Sequence, residues 1–292
     1  MKFGPLITAM VTPFKENGDV NYEEAVKLAK YLIDNGVDDL LLCGTTGEVP
    51  ALENEEKLRL IEIVSEQVNN SANIIAGTGS YNTSHSIELS QQAAEAGADG
   101  LMLVVPYYNK PPQNSLYQHF SAIAENCKLP IMLYNVPSRT SRNLEPETTI
   151  KLSDIENIIA IKEASGDVEQ GAMIATKTDP DFQVLSGDDG LTLPLMAVGG
   201  EGVVSVAAHI APSQIKAMIN SCKENDFHEA REIQKNLLPL FQAIFITTNP
   251  IPVKTAMKIK GWDVGEFRLP LSKMDEKLKT RLKEVLKANN YK

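Results

Sequence analysis

Gly36-Val37-Asp38-Asp39-Leu40-Leu41-Leu42 and Gly97-Ala98-Asp99-Gly100-Leu101-Met102-Leu103 carry one pattern twice, 61 positions apart. In both, a glycine ends a helix-period segment, a short polar turn follows, and an apolar strand begins. That interval holds about two βα units of ~30 residues each. Working outward, strand-like runs begin near Leu6, Leu40, Ile74, Leu101, Ile131, Ile159, Val184 and Val203. The segments between them carry apolar residues at helical spacing, such as Ala25, Ala29 and Leu32, or Leu58, Ile61, Val64 and Val68. Asn21 with Glu24 reads as a capping box opening the first helix. Eight strand–helix units at this spacing close most naturally into a (β/α)8 TIM barrel, an α/β fold of typically ~250 residues. The reading places the catalytic barrel over 1–224 and a C-terminal helical domain over 225–292. A doubly wound open sheet is the competing architecture, and the lack of a dinucleotide fingerprint weighs against it.

The 292 residues (32.0 kDa) hold 28 Lys+Arg against 38 Asp+Glu, a formal charge of −10, with 43% hydrophobic and 23% charged residues. That balance belongs to a globular protein, not a disordered or fibrous one. An acidic chain is poorly suited to general nucleic-acid binding, which rests on phosphate neutralisation. Locally, Lys254 to Lys292 holds 11 basic and 5 acidic residues. Those charges alternate with Leu278, Leu282 and Leu286, the pattern of an amphipathic helix with a solvated face. No apolar run nears the ~18–20 residues of a membrane helix, and Pro5 and Pro13 bracket too short a stretch for a signal peptide. Cys43, Cys127 and Cys222 lie far apart without a CxxC, so neither a disulfide framework nor a cysteine zinc site is expected. The expected compartment is the cytoplasm, with no membrane or nucleic-acid partner.

Chemistry in a barrel belongs at the carboxyl ends of the strands. After strand two stands Gly44-Thr45-Thr46-Gly47-Glu48, where backbone N–H groups and hydroxyls can converge on a small anion, with the dipole of a following helix; an ordinary βα turn is the plainer reading. Strand four ends in Pro106-Tyr107-Tyr108-Asn109 and strand five in Tyr134-Asn135-Val136-Pro137-Ser138-Arg139. Lone tyrosines there are packing residues, but two such ends with Arg139 suggest a polar pocket, and Arg139 suits either a carboxylate clamp or a surface ion pair. Strand six is the sharpest signal: Ile158-Ile159-Ala160-Ile161-Lys162-Glu163. A lysine ending an apolar strand either snorkels out or stands desolvated, with a lowered pKa that frees its amine to attack a carbonyl. His85, His119, His209 and His228 are scattered singly, so no metal site is expected. Gly200-Glu201-Gly202 leaves a barrel phosphate cup open as an alternative.

In this order and at these strand ends, the motifs closely resemble the pyruvate-dependent class I lyase/aldolase family, and within it the dihydrodipicolinate synthase branch. The likeness runs from Thr8-Ala9-Met10-Val11-Thr12-Pro13-Phe14 to Asn249-Pro250-Ile251-Pro252-Val253-Lys254. GTTGE and the strand-six lysine mark the wider family; the 134–140 and 249–254 segments mark the branch. The resemblance implies condensation of pyruvate with L-aspartate 4-semialdehyde to 4-hydroxy-tetrahydrodipicolinate, the first committed step toward diaminopimelate and lysine. It implies no cofactor and no metal, only a covalent imine between Lys162 and pyruvate. Tyr134, Thr45 and Tyr108 would relay protons, with Tyr108 reaching a neighbouring subunit's site. Thr46 would bind the pyruvate carboxylate and Arg139 that of the semialdehyde, while Gly187 and Val204 border the pocket. A homo-oligomer, a tetramer built as a dimer of dimers, is implied in the same way.

N-acetylneuraminate lyase and 2-keto-3-deoxy sugar acid aldolase share the lysine and tyrosine, but a sugar pocket has no use for a clamp such as Arg139. A phosphate-binding barrel isomerase and a non-catalytic barrel are the remaining alternatives. Lysine-sensitive members resembling this chain build an effector site from the stretch after GTTGE, residues after strand three, and the first tyrosine of the pair. Tyr107 is kept here, but Lys57 stands where sensitive members have histidine and His85 where they have glutamate. The resemblance thus implies weak or absent inhibition by lysine.

Overall fold

Regular structure begins with β1 (Leu6–Ala9) and α1 (Tyr22–Asp34), and the alternation continues with β2 (Asp39–Leu42), α2 (Asn54–Val68), β3 (Asn73–Gly77), α3 (Thr83–Glu95), β4 (Gly100–Val104) and α4 (Gln113–Glu125). Then come β5 (Ile131–Asn135), the single turn α5 (Pro137–Thr140), α6 (Pro146–Ser153), β6 (Ile158–Glu163), α7 (Val168–Lys177), β7 (Gln183–Ser186), α8 (Thr192–Ala197), β8 (Gly202–Ser205) and α9 (Pro212–Lys223). The structure is a computed structural model and describes residues 2–288. Its strands form one closed parallel barrel in sequence order. Closure is made where β8 returns to β1, pairing Leu6 with Val203, Ile7 with Val204 and Thr8 with Ser205. An open doubly wound sheet is thereby excluded, because that architecture requires two unpaired edges. Each observed strand starts within one residue of the position read from the sequence.

Alternation along the strands sorts their side chains between two cores. Ile7, Leu41, Ile75, Met102, Met132, Tyr134, Ala160, Leu185 and Val204 cluster inside the barrel, with Phe3 beside them. Leu6, Leu40, Leu42, Ile74, Leu101 and Leu103 face outward into the core shared with the helices. Lys162, two residues beyond Ala160, continues the inward-facing row of β6.

The N-terminus of α1 meets only half of the expected capping box. Asn21 Oδ1 accepts the Glu24 N–H at 3.2 Å, but the Asn21 N–H donates to the Pro13 carbonyl. The Glu24 carboxylate instead accepts from Lys27 and from the Asp263 N–H, so a tertiary contact has displaced the local one. The complete box opens α2, where Glu53 and Glu56 satisfy each other's backbone.

Three further helices follow: α10 (Phe227–Ile244), α11 (Ile251–Ile259) and α12 (Glu276–Ala288). The leucine stripe of α12 has the orientation its spacing implies, with Leu282 and Leu286 buried and Leu278 half-buried. Met1 and residues 289–292, the last of the expected helical extension, lie outside the described residues. No described helix is long and apolar enough to cross a membrane. The three cysteines are buried and unpaired. His209 locks the closure region, accepting the Val11 N–H through Nε2 while Nδ1 meets the Val206 carbonyl, and burial pushes its pKa down to about 4.

Candidate active site

Parallel pairing sets Lys162 of β6 beside Tyr134 of β5. Lys162 is 5% exposed, and its Nζ lies 4.3 Å from the centre of the Tyr134 ring. Burial disfavours the ammonium and lowers the Lys162 pKa to about 7; the Asp189 carboxylate opposes this, and the Arg139 charge adds to it. The Tyr134 phenol is pushed up by burial, against the opposing influence of Arg139 and a hydrogen bond with the Thr45 side chain. Gly187, just past β7, leaves Lys162 room: a Cβ there would lie 2.6 Å from the Ala164 Cβ and 3.1 Å from the Lys162 Cγ.

Asp189 is the site residue that sequence reasoning missed. It is buried on the turn after β7 and takes hydrogen bonds from Ser205 Oγ at 2.5 Å and from the Val206 and Ala207 N–H groups at 3.0 and 3.1 Å. Burial raises its pKa, and those three bonds work the other way. Held at the carboxyl ends of β7 and β8, the Asp189 carboxylate acts on Lys162 against the effect of burial.

The GTTGE segment is a tight 3-10 turn over Thr45–Gly47, followed by a second such turn over Val49–Ala51. Helix α2 therefore starts only at Asn54, with its first turn capped by its own glutamates, and does not supply the dipole expected directly behind the threonines. The turn is held from the far end of the chain. Thr46 Oγ1 accepts from Asn249 Nδ2 at 3.0 Å, and the Glu48 carboxylate accepts from Lys254 Nζ at 2.8 Å and the Arg268 N–H at 3.2 Å. Glu48 itself sits in the left-handed region at φ +56°, a backbone cost held in place by those contacts.

A cavity of about 480 Å³ opens at this end of the barrel. Thr45, Tyr134 and Arg139 line one part of it; Val49, Pro50, Lys57, Ser80, Tyr81, Asn82, His85 and Tyr107 line the rest. Arg139, on α5, is exposed and places Nη2 3.5 Å from the Asn249 carbonyl. Lys162, Thr46, Gly187 and Val204 are not among its lining residues, and Val204 is packed inside the barrel. Tyr108 is elsewhere: 92% exposed, at φ +71°, outside its own chain's cavity. Gly200-Glu201-Gly202 leads into the amino end of β8, where Gly202 abuts Pro5, so those glycines form no phosphate cup at the site. Among the described residues no group of three His, Cys, Asp or Glu side chains could hold a metal ion.

Comparison with known proteins decides the lineage. The model of the Dihydrodipicolinate synthetase family matches residues 2–289. This chain belongs to that family. A 4-hydroxy-tetrahydrodipicolinate synthase from a Nostoc species is 50% identical over 286 residues, covering 98% of this chain and 97% of the relative. The dihydrodipicolinate synthase of Cyanidioschyzon merolae, solved with lysine bound, superposes with a TM-score of 0.98 at 45% identity, covering 99% of each chain. A monomeric dihydrodipicolinate synthase variant gives 0.97 at 39% identity, covering 99% of this chain and 98% of that one. The closed (β/α)8 architecture is shared with these solved members of the family.

Proposed function

We propose that the chain condenses pyruvate with L-aspartate 4-semialdehyde to 4-hydroxy-tetrahydrodipicolinate, through an imine on Lys162. The observation that carries the reading is the buried amine, with its pKa near 7, facing a buried tyrosine. The neutral amine adds to the pyruvate ketone and water leaves, giving a protonated imine. That imine is an electron sink, so the methyl group loses a proton and becomes an enamine carbon, which attacks the aldehyde. Tyr134 and Thr45 move protons along a hydroxyl chain, since a phenol with its pKa pushed up stays protonated near neutrality and takes a proton only by passing its own on. The semialdehyde's own amine then displaces Lys162, closing the ring and freeing the enzyme. Asp189 favours the cationic imine as it forms. No step calls on a metal or an organic cofactor.

Trapping with borohydride in the presence of pyruvate tests this: one adduct is expected, on Lys162, and an adduct elsewhere or none overturns the assignment. Sugar-acid aldolase activity has no observation in its favour, because its aldehyde half carries no second carboxylate for Arg139, and the half-identical relative is a synthase. If Arg139 clamps the semialdehyde carboxylate, Arg139→Ala raises the KM for semialdehyde roughly 10–150-fold, the equivalent of a lost charge-assisted contact of ~1.5–3 kcal/mol. The KM for pyruvate stays nearly constant; equal rises for both substrates would count against the clamp.

The oligomer, read as a dimer of dimers, is one in which Tyr108 completes a neighbour's proton relay; in support, Tyr108 is exposed and does not line its own chain's cavity. The monomeric relative makes this a matter for direct test. Mixing Tyr108→Phe with Lys162→Ala chains should restore activity by forming sites with both native residues, and no recovery after proven subunit exchange would indicate a self-contained site.

By the resemblance, the half of the cavity bearing Lys57, His85 and Tyr107 would correspond to the effector site of lysine-sensitive members. Lys57 Nζ, donating to Asn54 Oδ1 at 3.2 Å, puts an ammonium on this wall, and His85 stands where the resemblance places the glutamate of sensitive members. Losing an ammonium–carboxylate contact and gaining a like charge together lower lysine affinity by roughly two to three orders of magnitude. Half-inhibition by lysine is accordingly expected above about a millimolar; a value well below it would refute this reading.

A further inference from the structure

We propose that Asn249 is a positioning residue that fixes the Thr46 hydroxyl as a hydrogen-bond donor toward the substrate's carboxylate. The inference rests on the reading of Thr46 given above and adds to it the means by which that hydroxyl acquires its polarity. A threonine hydroxyl both donates and accepts, so by itself it does not distinguish an anion from a neutral group. Here Asn249 Nδ2, which can only donate, is bonded to Thr46 Oγ1 at 3.0 Å, and both side chains are buried. A donor on one of the oxygen's two lone pairs turns the hydroxyl proton away from Asn249, toward whatever acceptor stands on the other side. Among the described residues no acceptor takes that proton.

The orientation of the amide follows from what each choice buries. As placed, the amide's Oδ1 is buried without a partner while its Nδ2 is bonded. Turned over, the amide would leave a two-proton donor group unmet in the same position, the more costly outcome. The rest of the turn is already committed, with the Gly47 carbonyl on Thr12 Oγ1 and the Glu48 carboxylate on Lys254. Thr46 is thus the hydroxyl whose direction Asn249 alone decides. The same residue's backbone carbonyl faces Arg139, so one short segment touches both expected carboxylate binders, through its side chain on one hand and its main chain on the other.

The test separates those two halves. Asn249→Leu keeps the shape and the carbonyl but removes the donor; Asn249→Ser, too short to reach, is the second variant should the first fail to fold. Borohydride trapping against pyruvate concentration should show half-saturation raised about tenfold or more, with kcat and the KM for semialdehyde within about threefold of the parent. In a Thr46→Val background the Asn249 substitution should add nothing, because it acts only through that hydroxyl. Equal effects on both substrates, or full additivity with Thr46→Val, would overturn the proposal, since a merely structural role predicts them. A parent chain that takes up no pyruvate overturns the reading of the site itself; normal uptake by the parent with unaltered half-saturation in the variants overturns the role of Asn249 alone.

Discussion

Lys162→Ala is expected to lose about four orders of magnitude in turnover or more, the scale seen when a covalent nucleophile is removed. Nothing else at the site supplies the amine. Lys57, which lines the cavity, is bonded to Asn54 in the part that holds His85 and Tyr107. The environment of Lys162 also fixes the pH dependence. Its pKa is lowered from 10.5 to about 7, so the nucleophilic neutral form gains as pH rises through 7. An unperturbed lysine would be only about one part in three thousand neutral at pH 7. Adduct formation with pyruvate, followed by mass spectrometry across pH, should therefore rise to a plateau just above neutrality. A rise continuing to pH 10 would mean that the amine is solvated and the site misread.

Lys254→Met should destabilise the fold by about 3–5 kcal/mol, because it strands the buried Glu48 carboxylate. The pair is nearly inaccessible, with side-chain exposures of 0% and 1%. The ammonium is fully used: Glu48 Oε1 and the Glu266 carbonyl at 2.8 Å, the Thr12 carbonyl at 3.3 Å, and the Phe14 ring 4.4 Å away. Urea denaturation measures the loss. Lys254→Met/Glu48→Gln should recover most of it, since the cost lies in the unpaired charge and not in the pair's net contribution. An unchanged urea midpoint in the single variant would show that Glu48 finds another partner. Turnover should fall with stability, because Glu48 closes the turn that carries Thr45 and Thr46.

These cases mark what the sequence made legible. Strand positions, closure and the inward lysine follow from local periodicity, and local periodicity is printed in consecutive residues. Lys162 could be found because a charge interrupts an apolar strand. Asp189 could not, because Asp188 and Asp189 read alike in a polar turn, and only Ser205 at the end of β8 and the Val206 and Ala207 N–H groups just beyond it select which one is buried. The grip of Asn249 and Lys254 on GTTGE joins positions more than two hundred apart. The 249–254 segment was recognisable by resemblance, yet no spacing rule tells what it touches. Glu24 failed as a reciprocal cap for the same reason: Asp263, far along the chain, competed for its carboxylate and won.

The pairing of β1 with β8 also sets a clock. Val203 leaves the ribosome about 200 residues after Leu6, its partner across the barrel seam. At ~5–20 residues per second, that delay is roughly 10–40 s. Throughout it, one edge of β1 has no strand to pair with, and an open strand edge is a template for other nascent chains. The last strand to be made, not the first, determines when the barrel can exist, and the newborn chain depends until then on whatever shields its opening strand.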